Sequence, residues 1–131
     1  NMIDELIEHT FRNIVATKYP AVSVHVAENM KNLSKEFFLD NNIGGVLSCT
    51  DVDAVRLISR LKTWKFQIPE ELSIINYGNT ELTELFRPAI TALDCQYESM
   101  AHKAASLIDM GNNAGNFEQH IIQPELIVRE T

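Results

Sequence analysis

Apolar residues along the chain first recur at three- and four-residue intervals. Ile3, Leu6, Ile7, Phe11 and Ile14 share one face of a helix, which Tyr19-Pro20 should end because proline cannot continue the hydrogen-bond ladder. The period then changes to two: Val22, Val24 and Val26 alternate with Ser23 and His25, predicting a short strand that runs to about Ala27. Met30, Leu33 and Phe37 return to helical spacing, with Asn41-Asn42 and Gly44-Gly45 as exit signals, so a second helix is expected over residues 29 to 41. Val46 to Cys49 is a short buried strand. Asp51 is placed to cap a third helix, whose buried stripe is Ala54, Leu57, Ile58 and Leu61 and which should stop before Pro69.

The second half continues the alternation. Leu72 to Tyr77 predicts a strand, Glu81 to Phe86 a short helix, Ala89 to Leu93 a strand, and Glu98 to Met110 a helix that turns Met100, Ala104, Leu107 and Ile108 inward and ends at Gly111. Asn112 to Asn116 reads as a polar loop. Ile121-Ile122 and Leu126 to Val128 are two extended pieces broken at Pro124, which cannot donate to a ladder and suggests a sheet edge. Helices alternating with continuously apolar strands predict an α/β fold, a parallel sheet with helices on both faces. Such folds bind ligands beyond the carboxyl ends of their strands. The corresponding loops here are Ala27 to Met30, Cys49 to Asp53, Asn76 to Thr80 and Asp94 to Gln96.

Composition narrows the function. The 131 residues carry eighteen acids against eleven bases, a net charge of -7, which repels phosphate backbones and leaves no basic stripe for DNA, RNA or an anionic membrane. No apolar run has the roughly 18 to 20 residues a bilayer span needs, and no secretory signal core opens the chain. Two cysteines, Cys49 and Cys95, are too few for a disulfide framework or a zinc site, which fits a cytoplasmic protein. Cys49 ends an apolar strand with no histidine near it in sequence, the setting of a small buried hydrophobe rather than a thiolate nucleophile. His9, His25, His102 and His120 have no i, i+4 pair for a metal, and no phosphate-cradling glycine motif occurs. Asp51 and Asp53 are acids in a first helical turn, where capping and the helix dipole favour them. The expectation is a chain with no catalytic residue, metal or cofactor.

One set of landmarks is more specific. Ser48-Cys49-Thr50-Asp51-Val52-Asp53-Ala54, followed by Ile68-Pro69-Glu70-Glu71-Leu72-Ser73-Ile74-Ile75-Asn76-Tyr77-Gly78-Asn79, resembles the LacI/GalR family of bacterial transcription regulators. There a strand ends in an Asn-Asp pair that opens a helix, and a Val-Pro-Glu-Asp-Val-Ser-Val-Val-Gly-Phe-Asp stretch follows. Arg87-Pro88-Ala89-Ile90-Thr91-Ala92 is similar to the family's Pro-Pro-Leu-Thr-Thr-Val segment. Gln96, Met100 and Ala104-Ala105 resemble the next helix, and Pro124 to Thr131 the closing Leu-Val-x-Arg-x-Ser. The ordered matches run from Gly44 to Thr131.

The resemblance implies the C-terminal lobe of a periplasmic-binding-protein-like (type I) effector domain, with residues 1–131 as a single lobe and 96–116 as the crossover helix returning to a first lobe that is largely missing. It implies a cytoplasmic sensor of a sugar-like or other small metabolite, with DNA bound only through a helix-turn-helix outside these residues. The helix at Met100, Ala104 and Leu107, separated from its usual partners, should pair with a second copy, giving a homodimer or a swapped helix. Thr50 stands where the family has a sugar-binding asparagine, and Asp51 matches the acid beside it. Gly78 stands where an aspartate grips the effector, so Asn79 or Asn76 would substitute. The candidate ligand-binding residues are therefore Thr50, Asp51, Asn76, Gly78 and Asn79. A periplasmic-type solute receptor lobe shares the shape, and a small α/β enzyme or phosphate-accepting domain using Asp51 is the third class.

Overall fold

The structure is a computed structural model and describes residues 2–109 and 119–131, apart from the side chains of residues 3 and 4. Two compact units divide the chain, Asn1–Asn41 and Asn42–Thr131. In the first unit, helix α1 covers Met2–Lys18 and stops at the expected Tyr19-Pro20. A single 3-10 turn, Met30–Asn32, and helix α2, Lys35–Asp40, complete it.

Two expectations fail in this unit. Residues 22–27 join no sheet: the β-branched alternation supplies propensity, but strands need a ladder partner, and none exists for this segment among the described residues. The helix expected over 29 to 41 is two pieces. Asn29 caps the 3-10 turn by accepting from the Lys31 amide at 2.9 Å, Leu33 turns extended at φ -84° and ψ 124°, and Ser34 starts α2 afresh by accepting from the Phe37 amide at 3.2 Å.

The second unit holds a four-stranded sheet of β1 (Gly45–Ser48), β2 (Ser73–Tyr77), β3 (Thr91–Asp94) and β4 (Glu125–Ile127), in that spatial order. Strands β1, β2 and β3 run parallel, with Ser48 opposite Asn76 and Tyr77 opposite Leu93. The sheet is mixed rather than wholly parallel, because β4 pairs antiparallel to β3, with Leu93 opposite Leu126. Pro124 precedes this edge strand, as the missing donor required. Helix α3 (Asp51–Thr63) lies against β1 and β2 and buries Ala54, Leu57, Ile58 and Leu61, the predicted stripe. One face of the sheet joins this core through Ile74, Asn76 and Ala92, all with no exposed surface.

Helix α3 ends earlier than Pro69 requires. The Phe66 amide returns to the Leu61 carbonyl and the Lys65 amide to the Lys62 carbonyl, each at 3.0 Å, while Lys65 takes φ 65°. This paired closure with a left-handed residue is a Schellman motif, with lysine where glycine is usual. Helix α4 (Glu81–Leu85) connects β2 to β3, and helix α5 (Tyr97–Asp109) follows β3. The expected end of α5 at Gly111 and the loop at Asn112 to Asn116 lie outside the described residues.

Candidate functional site

Three parallel strands in one register place the turns after β1, β2 and β3 side by side at their carboxyl ends. The first turn opens α3. Its cap is Thr50 rather than Asp51: the Thr50 hydroxyl accepts from the Asp53 amide at 3.2 Å and donates to the Asp53 carboxylate at 2.8 Å. The hydroxyl of Ser48 donates to the Thr50 carbonyl at 3.0 Å and fixes the approach.

Relieved of capping, Asp51 spans two turns. One carboxylate oxygen accepts from the side-chain amide of Asn76, and the other from the Thr80 hydroxyl. Asn76 is enclosed at the end of β2, and its amide also donates to the Gly78 carbonyl at 3.0 Å; its own carbonyl oxygen has no partner among the described residues. Its position makes it part of the scaffold under the turn. Gly78 has φ 108°, a conformation that a side chain resists, and a β-carbon there would stand 3.5 Å from the Asp51 carboxylate. Its amide extends the ladder by donating to the Leu93 carbonyl at 3.0 Å.

Asn79 ties the second turn to the third. Its amide nitrogen donates to the Asp94 carboxylate at 3.0 Å, and its carbonyl oxygen accepts from Thr83 at 3.2 Å and from Arg129 at 2.7 Å. The Gln96 amide donates to the other Asp94 oxygen at 2.7 Å. These bonds, the Gln96 amide foremost and then Asn79, with the charge of Arg129 adding to them, hold the Asp94 carboxyl below its ordinary value. Beside them lies a cluster of Tyr77, Cys95 and Tyr97, at the end of β2, just after β3 and at the start of α5. The hydrogen bond with Cys95 pushes the Tyr77 hydroxyl up to about 12 and raises that of Tyr97 as well.

The five candidate residues thus divide. Thr50 and Asp51 sit at the first turn, Gly78 and Asn79 at the second, and Asn76 beneath it. Thr80, Asp94, Arg129 and the Tyr77, Cys95 and Tyr97 cluster were missed by the sequence reading. Tyr77 and Asp94 to Gln96 lie in or beside the strand-end loops it had marked, so topology held the signal; Arg129 is the arginine of the matched closing motif, but nothing in the motif announced its partner Asn79, fifty positions away. Among the described residues no group of three metal-ligating side chains converges.

The model of the periplasmic binding protein-like domain matches residues 3–131. The chain belongs to that family. The match covers nearly the whole chain, and the similar proteins are transcription regulators of the kind the sequence resembles. The HTH-type transcriptional repressor PurR of Vibrio vulnificus is 34% identical over 91 residues, covering 66% of this chain and 26% of the repressor. PurR of Pasteurella multocida is 28% identical over 88 residues, again with 66% and 26% covered. The chain therefore spans about a quarter of the length of the curated relatives it matches. Among solved structures, a periplasmic binding protein/LacI transcriptional regulator from Alkaliphilus metalliredigens, complexed with D-xylulofuranose, superposes with TM-score 0.72 at 25% identity, over 97% of this chain and 51% of that one. These relatives are regulators, not enzymes, and no described helix is long and apolar enough to cross a membrane.

Proposed function

We propose that this periplasmic binding protein-like lobe senses a small metabolite, sugar-like in its hydroxyl pattern, on behalf of a bacterial DNA-binding transcription regulator. The observation that carries the reading is the likeness over 97% of the chain to the D-xylulofuranose-complexed regulator. The strand-end turns supply matching chemistry. The Thr50 hydroxyl, the polar Asn79 and Asp94 pair and the phenols of Tyr77 and Tyr97 stand where a polyhydroxylated ligand needs donors, acceptors and a flat apolar surface. The carboxylate of Asp51, engaged by Asn76 and Thr80, is a brace and not a phosphoacceptor in this reading.

The lobe supplies one wall of the site. A first lobe supplies the other, α5 opens the crossover to it, and ligand closes the two, shifting the regulator between states of different DNA affinity. A cytoplasmic homodimer fits this role, with DNA contacted by a module outside these residues. The test is a thermal-shift panel of sugars and nucleobases, D-xylulose included, on the full-length protein. A native-state ligand at a hundred times its dissociation constant should stabilise by about 2.7 kcal/mol. Tyr97→Ala should weaken that response; a panel with no response, or a response indifferent to Tyr97, overturns the reading.

A further inference from the structure

A concavity lies at the other end of the sheet from the strand-end turns. Its volume is about 480 Å³, and Lys62, Lys65, Phe66, Gln67, Ile68 and Pro88 line it. Phe66 to Ile68 precede the amino end of β2 and Pro88 that of β3, so this hollow is on the rim opposite the strand-end turns. We infer that it is a separate binding site for a small organic anion with an apolar body, its carboxylate or phosphate head held by Lys62 and Lys65 and its body laid on Phe66, Ile68 and Pro88.

Three observations carry this. In a chain of net charge -7, two of the six residues that border the hollow are lysines and none is acidic, while the neighbouring Glu71 carboxylate is engaged by the Gln67 backbone amide at 2.7 Å. The Lys62 ammonium is fixed at one edge: it donates to the Arg87 carbonyl at 2.7 Å and stands 5.8 Å from the centre of the Phe86 ring, with two protons left to give. Lys65 occupies the left-handed position of the Schellman closure, φ 65°, where glycine costs less. The left-handed turn there brings Lys65 and the following Phe66 to Ile68 to the border of the same hollow.

Isothermal titration calorimetry reads binding directly, and Trp64, the single tryptophan, next to Lys65 in sequence, supplies a second signal. The full chain is titrated with hexanoate and hexyl phosphate, and with hexanol and hexylamine as neutral and cationic counterparts. A saturable change with an anion, absent with hexanol and hexylamine and weakened by sodium chloride, is expected; the tighter of the two anions identifies the head group. Lys65→Gly should weaken binding about tenfold, the scale of one charge-assisted hydrogen bond. That variant relieves the backbone and should melt no lower than the parent, which keeps loss of binding distinct from loss of folding. Equal responses to hexanol, no saturable response, or unchanged affinity in Lys65→Gly would refute the site. Because no probe is a sugar, the outcome is independent of the sensing reading.

Discussion

Asp51 shows what one residue's surroundings add to its identity. From the sequence it is an acid opening a helix, and capping explains such an acid; the structure gives the cap to Thr50 and turns Asp51 to Asn76 and Thr80, twenty-five and twenty-nine positions away. Local spacing cannot announce a partner at that distance. The consequence is measurable. Thr50→Ala removes a cap and should cost about 1 kcal/mol. Asp51→Asn presents an amide to one of two donors and leaves it unsatisfied, for which about 1–3 kcal/mol is expected. Urea midpoints of the two variants compare them, and an Asp51→Asn no weaker than Thr50→Ala would return Asp51 to ordinary surface status. Asp94 makes a pH prediction. Its carboxyl is held below the ordinary 3.8, so its ionised form favours the folded state. That contribution is complete above 3.8 and is lost as pH falls below it toward the lowered folded-state value. The stability difference between the parent and Asp94→Asn should therefore be flat at neutral pH and shrink on acidification below 3.8. A difference that instead grows with acid would mean the wrong sign for the shift.

Elements differ in how plainly the chain announces them. Strands β1 to β3 and helix α3 were legible because each has a run of apolar residues at one period and closes with a recognisable turn, and the burial of Ala54, Leu57, Ile58 and Leu61 follows from that period. Residues 22–27 have the same local signature without the ladder, since pairing is a property of the neighbour and not of the segment. The break at Leu33-Ser34 was hidden by apolar spacing that continued across it, although Ser34 is a cap in its own right. The antiparallel β4 was read as an edge, and its direction was not predicted. Its anchorage comes from the residues after it: the Arg129 guanidinium donates to the Ile90 carbonyl and to Asn79, each at 2.7 Å, and the Thr131 hydroxyl donates to the Ile74 carbonyl at 2.7 Å. These bonds pin β4, β3, β2 and the start of α4 together. Arg129→Ala should cost about 1.5–3 kcal/mol, because the guanidinium is charged and its acceptors are part-buried. Hydrogen exchange checks the element-level claim: amides of Thr91 to Asp94 should lose protection in that variant, while those of Leu57 to Leu61 change only with global stability. Uniform change everywhere would show that Arg129 acts on the whole unit and not on the edge.

At the scale of the molecule, the unbalanced element is α5. It is a thirteen-residue amphipathic helix none of whose residues is buried, with Tyr97 62%, Met100 41%, Leu107 40% and Ile108 81% exposed. An isolated helix of that length is marginal in water, because nucleation is costly and propagation adds little until a face is packed. Leu126 and Val128 on the sheet edge are likewise half or more exposed. A helix so placed acquires its stability from another surface, and apolar patches of this kind mark association. The sequence had put Met100 and Leu107 inward, correctly reading an apolar face but assigning it a partner that the described residues do not supply. We therefore expect the 131-residue chain to associate with a second copy through α5, with a sedimentation coefficient that rises with concentration. Leu107→Lys combined with Ile108→Lys should shift the distribution to monomer and lower helical ellipticity at once, since the helix and its contact are thermodynamically linked. If the chain sediments as a single monomer with α5 still helical, the face is satisfied within one copy and the association fails. If the paired substitution abolishes association while ellipticity is unchanged, α5 is stable without its partner and folding and association are not coupled, although the interface stands.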